Sequence, residues 1–225
     1  MTWIKICGMT NLADAQLAAE AGADAVGFVF YEKSPRSIEP ETAREIVAKL
    51  PLRIGKVGVF VSQGADQIVE MSERAKLTAI QLHPSDESTG KVVIEDLMKR
   101  LSFPLFVAVP GRMLAAEEGF GCFFSREFLS RASAIFLDSG TPQQPGGTGT
   151  VFDWHKVAPA AKLLSQRIPI VVAGGLSHAN VGDAIRTLRP WGVDVASGVE
   201  REPGKKDPEK VHAFVQAVRE AEKSQ

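Results

Sequence analysis

Cysteine is scarce: 225 residues contain two, Cys7 and Cys122. Two thiols give no disulfide framework, and a reducing cytoplasm is the expected location. An excess of one charge is missing too. Lys and Arg total 26 against 27 Asp and Glu, a formal net charge of −1, so no global field draws nucleic acid or a membrane surface, and neither is expected as a partner. No apolar run approaches the ~18–20 residues of a spanning helix. The opening Met1-Thr2-Trp3-Ile4-Lys5-Ile6-Cys7-Gly8 has neither the long apolar segment nor the cleavage site of a signal peptide. No fixed-period repeat, linker or low-complexity segment interrupts the chain. No G-x-G-x-x-G follows its first strand, which argues against a doubly wound dinucleotide fold. His83, His155, His178 and His212 fall on separate elements without ligand spacing, so no metal site is expected.

What is present is an alternation. At 44% hydrophobic and 24% charged, the composition supports a sizeable core. Val-, Ile- and Phe-rich runs read as strands at Thr2–Cys7, Ala25–Phe30, Arg53–Val61, Ala79–Leu82, Leu105–Val109, Ala134–Leu137, Pro169–Ala173 and Val193–Ala196. Helical spacing follows at Leu12–Ala21, Glu41–Lys49, Gly64–Lys76, Val92–Leu101 and Ser177–Leu188. A further helix is capped by Asp153 and runs through Leu164. The last is opened by Asp207-Pro208-Glu209. The fifth connection, Gly111–Phe124, is less regular, with a helix expected at Ser125–Arg131. The strands are near-continuous apolar runs, as in a parallel sheet covered by helices. Eight βα units in this length predict an α/β fold, a (β/α)8 TIM barrel in which residues 1–225 form a single domain.

In such a barrel, chemistry belongs at the C-terminal ends of strands. That filter selects Cys7 after strand 1, Arg36 in the loop after strand 2, His83 after strand 4, and Asp138 after strand 6. It also selects Gly174-Gly175 after strand 7, and Asp194 with Ser197-Gly198 at strand 8. Each glycine pair alone reads as a tight turn. As a pair on consecutive strands, they read as backbone amides offered to a phosphate. Cys7 is either a small buried hydrophobe or a thiolate stabilised by an anion site and Lys5. Asp138 precedes a Gly- and Pro-rich loop, Ser139–Thr150, and burial beneath it would suit a general acid. Arg36 by itself reads as a solvated loop charge, although its fork also suits a carboxylate. His83 stands between a supporting role and a plain turn residue.

These motifs, taken in order, resemble the phosphoribosylanthranilate isomerases of tryptophan biosynthesis. The matching pieces include Lys5-Ile6-Cys7-Gly8, Gly22-Ala23-Asp24 with Gly27-Phe28-Val29-Phe30, and Ser34-Pro35-Arg36. Further along come Gln81-Leu82-His83, Leu137-Asp138 with Gly146-Gly147-Thr148-Gly149, and Ala173-Gly174-Gly175-Leu176. The set closes with Val193-Asp194-Val195, Ser197-Gly198-Val199-Glu200 and Gly204-Lys205-Lys206-Asp207. Pro84 departs from the family pattern, as does Ala196.

The resemblance implies an intramolecular aldose–ketose isomerase performing an Amadori rearrangement on a phosphosugar, as a monomer or homodimer. It implies Asp138 as general acid, Cys7 as general base, and Arg36 near the anthranilate carboxylate. It further implies Gly174, Gly175, Ser197 and Gly198 as the phosphate grip, joined by Gly147. Asp194 and His83 would border the substrate. No cofactor is implied, because an aldose-to-ketose shift needs one acid and one base. Two rivals make different demands. A histidine-pathway isomerase would need paired carboxylates and two phosphate sites. A silent phosphate-binding barrel would have lost Cys7 or Asp138.

Overall fold

The apolar runs become eight short parallel strands, buried over almost their whole length. The computed structural model describes residues 1–61, 63–84, 87–115, 131–140 and 151–223. Its strands are β1 (Trp3–Cys7), β2 (Ala25–Val29), β3 (Gly55–Phe60), β4 (Ala79–Leu82), β5 (Leu105–Pro110), β6 (Ala134–Asp138), β7 (Ile170–Val172) and β8 (Gly192–Val195). They pair in chain order, and β8 returns to β1, so the sheet closes into the expected barrel. At the closing seam the register sets Trp3 against Gly192 and Lys5 against Asp194.

The helices are α1 (Leu12–Ala21), α2 (Pro40–Val47), α3 (Ala65–Ala75), α4 (Glu87–Arg100), α5 (Trp154–Ser165), α6 (Val181–Leu188) and α7 (Pro208–Glu222). Their ends follow local chemistry. Asn11, Asp153 and Asp207 each accept a backbone N–H three residues on, capping α1, α5 and α7. Gly22 closes α1 in the left-handed conformation, with φ 102°. A 3-10 turn, Gly111–Ala115, follows β5. Cys122, residues 125–130 of the expected helix and the loop 141–150 with Gly147 lie outside the described residues.

Three expectations need correction. The fourth helix starts at Glu87 rather than Val92. The sixth starts at Val181 rather than Ser177, because the Asn180 carboxamide accepts from the Ser177 N–H and donates to the Gly175 carbonyl, holding that stretch as a turn. After β8, where only a turn was expected, a 3-10 turn (Ser197–Val199) leads into a small antiparallel hairpin of β9 (Glu200–Glu202) and β10 (Lys205–Lys206).

Alternation along the strands divides the core in two. Ile4, Ile6, Val26, Phe28, Ile80, Val107, Leu137 and Val193 face outward into the large cluster under the helices. Ala25, Val57, Ala79, Phe106, Ala134, Phe136 and Val171 face inward and fill the barrel, with Trp3 packed on them. Trp3 meets Phe106 and Phe136 edge-on, at ring centroid distances of 5.9 and 6.2 Å. This aromatic floor closes the barrel beneath the layer that carries polar side chains.

Candidate active site

On β1 the inward positions are Trp3, Lys5 and Cys7, so the strand climbs from the aromatic floor through a buried cation to a thiol. Lys5 Nζ lies 5.5 Å from the Phe136 ring centroid and binds both Asp194 carboxylate oxygens, at 2.9 and 3.0 Å. The Lys5 side chain is fully buried. Burial alone would depress its pKa, but the Asp194 carboxylate and the Cys7 thiol outweigh that, and the net shift is upward. One ammonium shared between both oxygens of a carboxylate is the geometry of an ion pair.

Cys7 is free and buried. Burial pushes its thiol up, and Lys5 pulls in the other direction. The space it occupies exists because Gly27, its register partner on β2, has no side chain. A β-carbon there would stand 2.6 Å from Cys7 Sγ and 3.0 Å from Lys5 Cε. Gly8, with φ 83°, does the same for Arg36: a β-carbon would meet Arg36 Cδ at 2.6 Å.

A cavity of about 380 Å³ opens at the C-terminal end of the barrel. Cys7, Arg36, His83, Asp138, Gly174, Gly175, Asp194 and Ser197 all line it, so one mouth gathers residues spread over nearly the whole chain. Cys7 and Asp138 stand on strands three places apart around the barrel. Asp138 is half-buried, and its Oδ1 accepts the Gly140 N–H at 3.1 Å. His83 is buried, which lowers its pKa despite the nearby Asp138. Gln81 Nε2 lies 3.0 Å from His83 Nε2. A neutral ring accepting there carries its proton on Nδ1.

Both turn glycines after β7 are left-handed, with φ 75° at Gly174 and 65° at Gly175. A β-carbon on Gly174 would stand 2.8 Å from Asp138 Oδ1, so this turn packs directly against the carboxylate. Gly198 is required for a different reason. Its φ is not positive, but the Leu176 backbone carbonyl lies where its side chain would be. The two turns thus pack against each other at the strand 7–8 edge, where Gly174, Gly175, Leu176 and Ser197 line the cavity.

Arg36 is not the solvated charge that its loop suggests. It is largely buried, 12% exposed, and donates through Nε and Nη2 to the two carboxylate oxygens of Glu200, at 2.9 and 2.7 Å. That pairing raises its pKa. Lys206, fully buried, donates to Glu200 Oε1 at 2.8 Å and to the carbonyls of Cys7 and Ala196. Glu200 and Lys206 stand out in the sequence only as members of motifs. No local periodicity marks them, and their partners are far away along the chain. Among the described residues, no group of three or more His, Cys, Asp or Glu is placed to hold a metal ion. No helix among them is long and apolar enough to cross a membrane. His155 and His212 lie exposed on helices, and His178 lies exposed in a turn.

Comparison with known proteins agrees with this geometry. The family model described as N-(5'-phosphoribosyl)anthranilate (PRA) isomerase matches residues 4–217. An N-(5'-phosphoribosyl)anthranilate isomerase from Pelodictyon phaeoclathratiforme is 41% identical over 222 residues, covering 97% of this chain and 98% of the relative. The crystal structure of phosphoribosyl anthranilate isomerase from Thermotoga maritima superimposes with a TM-score of 0.81 at 37% identity, covering 98% of this chain and 100% of that one. A structure of the isomerase in complex with reduced 1-(o-carboxyphenylamino)-1-deoxyribulose 5-phosphate superimposes with a TM-score of 0.76 at 35% identity, with coverage of 98% and 100%. Matched in sequence and in fold over nearly all its length, the chain belongs to the N-(5'-phosphoribosyl)anthranilate isomerase family.

Proposed function

We propose that this chain converts N-(5-phosphoribosyl)anthranilate to 1-(2-carboxyphenylamino)-1-deoxyribulose 5-phosphate, the isomerisation of tryptophan biosynthesis, with Asp138 as general acid and Cys7 as general base. The whole of residues 1–225 acts as one barrel domain, as a monomer or homodimer, and its two cysteines suit a reducing cytoplasm. Asp138 protonates the furanose ring oxygen, the C1′–O bond breaks, and the anilino nitrogen lone pair forms the Schiff base. Cys7 removes the C2′ proton, giving an enol-amine that tautomerises to the ketone. Every step moves protons and electron pairs already present in enzyme and substrate.

Cys7 acts as the thiolate: burial works against that form, and the Lys5 ammonium and the positive Schiff base both stabilise it until it takes up the C2′ proton. Arg36 faces the anthranilate carboxylate. The Gly174-Gly175 and Ser197-Gly198 turns hold the phosphate, with Gly147 contributing from the strand-6 loop. Asp194 keeps Lys5 in place, and His83 borders the reacting sugar as a neutral ring.

The observation that carries this reading is that Cys7, Asp138 and the β7 turn open into a single cavity in a chain of this family. Adding the protein to freshly made phosphoribosylanthranilate should accelerate the decay of its fluorescence, and an unchanged decay refutes the activity. Cys7→Ser and Asp138→Asn should each lower kcat by roughly 10²–10⁴ while leaving affinity for the phosphate end intact. Near-normal turnover in either variant removes the role assigned to that residue.

A further inference from the structure

Arg36, Glu200 and Lys206 form a buried cluster that the proton-transfer steps do not use. Glu200 Oε1 accepts from Arg36 Nε, from Lys206 Nζ and, at 3.3 Å, from the Gly204 N–H, while Oε2 accepts from Arg36 Nη2. The carboxylate side chain is 4% exposed. It stays ionised against the cost of burial because Arg36 and Lys206 hold its pKa below the ordinary value. Burial pulls the Lys206 pKa down and Glu200 opposes that; Nζ spends three donors on a carboxylate oxygen and two carbonyls, which is the pattern of an ammonium.

The hairpin carrying Glu200 and Lys206 is itself pinned to the strand-1 loop and to the first turn of α1. Thr10 Oγ1 donates to the Gly204 carbonyl, and the Lys206 N–H donates to Asp14 Oδ2. Two consequences follow for the cavity. Glu200 takes the Nε–Nη2 edge of the guanidinium, so only its Nη1–Nη2 edge remains for a ligand, and that edge is a two-pronged fork suited to a carboxylate. The three side chains carry two positive charges and one negative, so a buried positive charge is left for an anion to balance.

We propose that Glu200 is a positioning residue that makes the site specific for an aromatic ring bearing a carboxylate: it aims the free edge of Arg36 into the cavity and ties that edge, through Lys206, to the backbone of Cys7. The inference rests on the reading of Arg36 as the group facing the anthranilate carboxylate. An ordinary loop arginine could swing to meet a carboxylate or avoid a neutral ring. A guanidinium locked on one edge keeps its fork fixed, so a ring without the carboxylate leaves that fork desolvated and unpaired.

The test uses the full chain and two reduced product-type ligands: 1-(o-carboxyphenylamino)-1-deoxyribulose 5-phosphate and its counterpart lacking the ring carboxylate. Glu200→Gln preserves size but removes the charge that clamps Arg36. Affinity for the carboxylate ligand should fall on the order of ten- to a hundredfold, while the carboxyl-free ligand should change by less than about twofold. Equal loss of both ligands means a structural role only and overturns the proposal. Unchanged or tighter binding of the carboxylate ligand overturns it as well. If near-UV circular dichroism shows that Glu200→Gln is misfolded, Glu200→Asp keeps the charge but shortens the reach, and the same ligand comparison decides. Wild-type turnover of phosphoribosylanthranilate is scored separately, so failure of the activity reading is distinguishable from failure of this one.

Discussion

Gly27→Ala isolates the positioning of Cys7, the proposed base, from its chemistry, because it changes no atom of Cys7, Lys5 or Asp194. The added β-carbon would stand 2.6 Å from Cys7 Sγ, 3.0 Å from Lys5 Cε and 3.1 Å from Cys7 Cα. An ordinary contact needs about 3.5–4.0 Å, so the sulfur must shift by roughly 1 Å. It cannot do so by sliding β1 as a whole, since the Gly27 carbonyl accepts the N–H groups of both Gly8 and Met9 at 2.9 Å. Nor can it easily displace Lys5, which is bound to Asp194. The thiol is therefore pushed along the cavity wall. A misplacement of about 1 Å at a reacting group costs about a hundredfold in rate, equivalent to about 2.7 kcal/mol of barrier. The overpacking should also destabilise the fold by about 1–3 kcal/mol. Turnover followed by phosphoribosylanthranilate fluorescence gives the first quantity, and urea denaturation gives the second. Affinity for the reduced product ligand should be much less affected, because its phosphate and carboxylate grips lie elsewhere. A folded Gly27→Ala protein with kcat within about threefold of wild type would show that the Sγ position set by β2 does not matter, and the assignment of Cys7 as the base would have to be abandoned.

Two further perturbations probe the neighbours. Lys5→Met removes the cation that opposes the effect of burial on Cys7. The thiol then titrates still higher, so the acid limb of the kcat/KM profile, which rises with pH as the thiolate forms, should move to higher pH. The variant also strands a buried Asp194 carboxylate, at a cost of about 3–5 kcal/mol in chemical denaturation. An unmoved acid limb would separate Lys5 from the base. Gly174→Ala forces a side chain into a left-handed φ of 75° and against Asp138 Oδ1. It should lower kcat and weaken inhibition by inorganic phosphate together, whereas loss of only one would show that the turn does not serve both groups.

The barrel could be read from the sequence because parallel strands buried on both faces leave continuous apolar runs such as Ala25–Val29 and Leu105–Pro110, and because caps such as Asn11, Asp153 and Asp207 act within three residues. Strand-end placement alone puts Cys7 and Asp138 at the cavity, without deciding between packing and chemistry for Cys7. The β9–β10 hairpin could not be found that way. Glu200-Arg201-Glu202 and Lys205-Lys206 offer no apolar alternation, and what orders them is the ion pair of Glu200 with Arg36 and the hydrogen bond from Lys206 to the Cys7 carbonyl, partners 164 and 199 residues distant. Arg36 cannot be placed from its own neighbours, for the same reason. A charge between Pro35 and Ser37 looks solvated until its carboxylate partner is known. Gly198 stands out in the sequence as a turn glycine, but its steric contact with the Leu176 carbonyl leaves no local trace.

The seam where Lys5 meets Asp194 also sets a timetable. Its two halves are 189 residues apart, and they come together only when β8 docks on β1, the pairing of greatest sequence separation in the barrel. During synthesis at about 5–20 residues per second, the first strand would wait on the order of 10–40 s for its counter-ion. Until then a partly built sheet carries an ammonium that has no place in an apolar interior, which disfavours premature closure onto any other strand. The strand that bears Cys7 thus emerges first, and its ion pair with β8 forms only late, so isomerase activity can appear only in chains whose barrel has fully closed.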